Sequence, residues 1–87
     1  MNSSEEKIKE LRAKIDELDG KIVELLIQRL DVAASVIEAK KASGFSNEDK
    51  SRESLILERL LAKAGKYRTI VGDIYERIFK WVKTGKV

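Results

Sequence analysis

Between Glu5 and Ala42 the chain carries an apolar stripe too long for a small domain to cover. Ile8, Leu11, Ile15, Leu18, Ile22 and Leu25 recur at alternating steps of three and four, the spacing of a heptad seam on an α-helix. The next seam position is Arg29, after which Val32, Val36 and Ala39 resume the pattern. A parallel line runs through Val23, Leu26, Leu30, Ala33 and Ile37 and ends on Lys40. With no proline to break it, this segment reads as one helix, spanning over about 50 Å at the usual rise per residue. The rest of the chain is too short to bury such a length, so part of the stripe is expected to meet another copy of the chain.

The remaining elements are short. Gly44 ends the long helix in an Ala42-Ser43-Gly44 stop, and Phe45 is expected to anchor the turn. Ser46, with Asp49 three residues on, reads as the cap of a second helix from Asn47 to Ala64, stopped by Gly65. Its inward stripe is Ile56, Leu57, Leu60, Leu61 and Ala64. Lys66 to Thr69 reads as a connector capped by Thr69, and a third helix follows from Ile70 to Thr84 with Val71, Ile74, Tyr75, Ile78, Phe79 and Val82 inward. Ser3 or Ser4 can cap the first helix, and Glu10–Lys14 and Glu17–Lys21 are expected ion pairs on its outer face. Gly20 lies off the seam and is read as tolerated. The expected fold is all-α, with one long and two shorter helices in a single domain over residues 1–87.

Composition narrows the chemistry. Cysteine and histidine are both absent, which removes disulfides, His- or Cys-built zinc sites and any Ser-His or Cys-His nucleophile pair. An 87-residue chain without those supports is expected to gain stability by self-association. The chain is 38% charged but carries a net charge of only +3, with both signs interspersed, so no basic block tracks a phosphate backbone. No stretch approaches the ~18 apolar residues of a membrane span, nor does the N-terminus have the apolar core of a signal peptide. The expectation is a cytoplasmic protein that binds neither nucleic acid nor membrane and needs no metal or cofactor.

Charged residues on apolar lines are the candidate functional groups. Arg29 and Lys40 stand 11 residues apart, within about 20° of one helix face and roughly 16 Å along the axis, a span over which two long side chains can hold a small anion. The alternative is that each stem snorkels to water. Arg12 lies some 25 Å from Arg29, so it reaches the same small pocket only from the antiparallel helix of a partner chain. If it does not, it is a solvated flank residue. Asp49, Arg52 and Glu53 share one face at the start of the second helix, in line with the buried stripe. They form either a binding face or a surface ion cluster. Lys86, at the end of the third stripe, is either functional or part of a frayed terminus.

The segments Leu11–Asp19, Leu25–Arg29, Ile37–Lys41, Asp49–Glu53 and Ile74–Lys80 resemble, in order and in spacing, the all-helical chorismate mutases over nearly the whole chain. That resemblance implies an intertwined homodimer of three-helix chains. It also implies an intramolecular [3,3] rearrangement of chorismate to prephenate in aromatic amino acid biosynthesis. On the same basis, Arg29 and the partner chain's Arg12 bind the two carboxylates, and Lys40 donates to the ether oxygen. Glu53 accepts from the ring hydroxyl, helped by backbone near Asp49, and Arg52 completes the basic wall. The sequence departs from the family in the third helix. Val82 stands where a small polar residue is usual, and Lys86 stands where Gln or Glu is usual but could serve as a donor. The alternatives are an isochorismate-pyruvate lyase, which Glu53 argues against, and a helical dimer that binds ligands without catalysis.

Overall fold

A computed structural model describes residues 2–46 and 49–85. Among these residues there is no strand. The elements are α1 (Ser3–Ser43), α2 (Lys50–Ala64), a 3-10 turn (Gly65–Tyr67) and α3 (Arg68–Lys83). Because α2 passes through the 3-10 turn directly into α3, the chain forms two helical runs, one long and one joined, where the sequence suggested three. The expected Lys66–Thr69 connector is not a loop. Gly65 turns the chain with φ 58° and ψ −127°, and the next residues are already helical, so α3 opens at Arg68 without a Thr69 side-chain cap.

The chain divides into two compact units, Met1–Leu30 and Asp31–Val87. In the first, the cap of α1 is Asn2 rather than Ser3 or Ser4, its Oδ1 accepting from the Glu5 N–H at 2.8 Å. Glu17 and Lys21 pair at 3.7 Å as expected, whereas Glu10 and Lys14 do not. The seam residues of this unit are open to solvent, from 46% at Leu11 to 64% at Leu25. A lone helix has no second surface to lay against them.

The second unit holds the buried core, Ile37, Ile56 and Phe79, one residue from each helix. The expected α2 stripe is inward: Leu57, Leu60, Leu61 and Ala64 are half-buried around Ile56. On α3, Val71, Tyr75, Ile78 and Val82 are half-buried beside Phe79, but Ile74 is exposed. The two helices of this hairpin approach closely at Gly72, where an added Cβ would lie 3.6 Å from Leu61 Cδ2. Tyr75 and Phe79 meet edge to face at 6.1 Å.

The end of α1 is a Schellman motif. The Phe45 N–H donates to the Lys40 carbonyl at 2.8 Å and the Gly44 N–H to the Lys41 carbonyl at 3.2 Å. Gly44 has φ 77°, the left-handed conformation the motif needs. Phe45 closes this turn with its backbone only, because its side chain is 70% exposed and does not serve as the expected anchor.

Candidate active site

The Met1–Leu30 unit carries two of the candidate groups. Arg12 is exposed on α1 and lines an open groove with Glu5, Ile8, Lys9, Ala13 and Asp16. Every wall of that groove comes from the one helix, so it encloses nothing by itself. Arg29, 17 residues further along the same helix, is half-buried, unlike the exposed aliphatic seam residues before it. Arg12 and Arg29 are therefore not brought together within this unit, as the helical rise requires.

The Asp31–Val87 unit carries the others. Lys40 is half-buried, one turn before the end of α1, and its carbonyl is fixed by the Phe45 N–H. Asp49, Arg52 and Glu53 gather at the opening of α2, and of these Glu53 is half-buried while Asp49 and Arg52 are exposed. The surface-cluster reading required Arg52 to pair with a neighbouring carboxylate. Among the described residues neither Lys40, Arg52 nor Glu53 takes part in an ion pair. A half-buried charge with no partner has lost part of its hydration without compensation, which favours an external group of opposite charge or a hydrogen-bonding ligand.

Asp49 has a local structural task. It is the N-cap of α2, with φ −138° and ψ 87°, and its Oδ1 accepts from the Arg52 N–H at 3.0 Å. Its carbonyl accepts from the Glu53 N–H at 3.0 Å. Ser46 is therefore not the cap of the described helix, which opens at Lys50; the expected start at Asn47 lies outside the described residues. The sequence contained the signal, since Asp caps as well as Ser. With Ser46 three residues upstream, however, the two starts could not be separated by composition. Lys86 also lies outside the described residues. Val82, the other departure in α3, is half-buried there. Among the described residues no group of Asp and Glu is arranged to hold a metal ion, and no helix is long and apolar enough to cross a membrane.

The molecule is all-helical, with charged residues set at the edges of apolar helix faces. It belongs to the chorismate mutase type II family, whose pattern matches residues 11–85. The match spans Arg12, Arg29, Lys40, Asp49, Arg52 and Glu53 and stops one residue before Lys86. The chain is similar to a chorismate mutase of Methanocaldococcus jannaschii, 37% identical over 75 residues, covering 86% of this chain and 75% of the relative. It is also similar to an intracellular chorismate mutase of Mycolicibacterium smegmatis, 36% identical over 58 residues, covering 67% of this chain and 56% of the relative. No solved structure matches the chain at comparable significance.

Proposed function

We propose that the protein is a chorismate mutase, converting chorismate to prephenate as an isomerase. The observation that carries this reading is the two half-buried charges of opposite sign, Lys40 and Glu53, neither in an ion pair among the described residues, on a chain whose family match spans both. The rearrangement is intramolecular. It needs a compact, chair-like conformer of a dicarboxylate and stabilisation of charge growing on the breaking ether oxygen, not a nucleophile. In this reading Arg29 and the partner's Arg12 bind the carboxylates, and the Lys40 ammonium donates to the ether oxygen. The ring hydroxyl donates to the Glu53 carboxylate beside the Asp49 backbone, Arg52 adds to the basic wall, and Lys86 is a second donor. The name of the Mycolicibacterium relative supports placing the reaction inside the cell, in the cytoplasm.

The working unit in this proposal is a homodimer. The solvent-exposed seam from Ile8 to Leu25 supports it, and so does the register of the seam. An antiparallel pairing that sets Arg12 opposite the partner's Arg29 also sets Leu11 opposite Leu30, Ile15 opposite Leu26 and Leu18 opposite Val23. One register thus combines these three aliphatic contacts with the delivery of Arg12.

The test is turnover of chorismate to prephenate by the purified protein, with Arg29→Ala and Lys40→Ala as controls. Wild-type protein that makes no prephenate above the uncatalysed background overturns the proposal. Salicylate and pyruvate released from isochorismate, with no prephenate from chorismate, would instead assign the lyase activity.

A further inference from the structure

Two of the residues given roles above, Arg52 and Glu53, owe the position of their backbone to a single neighbour. The first turn of a helix has N–H groups with no partner inside the helix, and an uncapped first turn frays. In α2 the N–H groups of Arg52 and Glu53 both return to Asp49, one to its carboxylate and one to its carbonyl, each at 3.0 Å. Arg52 is the third residue of the helix, so its amide is one of those the helix itself leaves without an acceptor, and the carboxylate takes it. Asp49 is itself extended rather than helical, which is the backbone conformation of a residue that caps from outside. Loss of the side-chain acceptor therefore loosens the turn from which both Arg52 and Glu53 project, without removing any group of either residue.

We propose that the Asp49 carboxylate is a positioning group, holding the opening turn of α2 and through it the Arg52 and Glu53 side chains, and that its charge is not used on the substrate. The proposal rests on the assignment of Arg52 and Glu53 to the substrate site. It deepens that assignment by separating two ways in which an acidic residue can matter there. A capping role depends on a short side-chain acceptor, which Asn and Ser provide as well as Asp. A charge role depends on the carboxylate, which Glu retains with a longer stem.

The experiment is a substitution series in the full chain, Asp49→Ala, →Asn, →Ser and →Glu, read by amide hydrogen exchange at Arg52 and Glu53 and by kcat/KM for chorismate. In D49A both amides should exchange roughly fivefold faster, the change in the opening equilibrium that loss of one cap typically produces, and kcat/KM should fall. D49N and D49S should rescue both readouts, and D49E should rescue neither. Rescue of kcat/KM by D49E but not by D49N or D49S overturns the proposal, because charge would then be the requirement. Unchanged exchange at Arg52 and Glu53 in D49A overturns it as well. Exchange is measured without substrate, so a wild-type protein inactive on chorismate would refute the assigned reaction while the exchange series still decided whether Asp49 holds the turn.

Discussion

Lys40 and Glu53 are exceptions to the pattern of their own helices. Each lies at the end of an aliphatic line, each is half-buried, and among the described residues neither is in an ion pair. A structural lysine near a helix terminus can snorkel and be replaced at little cost. A lysine that donates to a developing oxyanion cannot. Lys40→Ala is therefore expected to lower kcat by about 10² to 10³-fold with little change in thermal stability, measured by loss of chorismate absorbance alongside a melt. Equal kcat in the variant would return Lys40 to the snorkelling reading. Arg29, Lys40, Arg52 and Glu53 stand out in the sequence as candidates because a charge on an apolar line violates periodicity. The occupation of Asp49 was not legible, because Ser46 and Asp49 are both competent caps and the choice between them depends on where the backbone enters the helix.

The ends of the helices follow glycines, and the glycines differ in what they do. Gly44 has φ 77° within a Schellman motif whose longer-range bond holds the Lys40 carbonyl. Gly44→Ala forces a β-carbon into the left-handed region and should destabilise the fold by about 1 kcal/mol, read as a lower melting temperature. Asn in its place should be milder. Gly20 is the contrasting case. It lies in the middle of α1 on the side away from the seam, and among the described residues no atom beyond the adjoining helix backbone lies within 4 Å of the place a β-carbon would take. Gly20→Ala should stabilise the protein by roughly 0.5–1 kcal/mol through helix propensity alone. A fall in melting temperature would show a helix contact at Gly20 that a single chain does not contain. Helix existence was plain from periodicity here, but the joining of α2 to α3 was not. Lys66, Tyr67, Arg68 and Thr69 are compatible with either a loop or a 3-10 turn, and only the backbone angles adopted at Gly65 allow helix to resume at once.

At the scale of the whole molecule, the proposed crossing of Arg12 between chains makes a specific prediction. Arg12→Ala and Arg29→Ala homodimers should each be nearly inactive. Mixed after dissociation and reassociation in equal amounts, they should recover about a quarter of wild-type activity, because half the dimers are mixed and each of those has one intact site. No recovery would mean that Arg12 and Arg29 serve the same chain or that the dimer does not form. The sequence by itself determined the all-helical class, the long first helix, the inward faces of α2 and the charged residues that interrupt the stripes, because these follow from side-chain periodicity and local stop signals. The tertiary structure decided what local signals leave degenerate: Asp49 as the cap of α2, the direct passage of α2 into α3, Ile74 facing outward, and a buried core confined to Ile37, Ile56 and Phe79 among the described residues. Those outcomes depend on how the backbone turns and on which surfaces meet, and a single chain leaves its longest apolar seam in water.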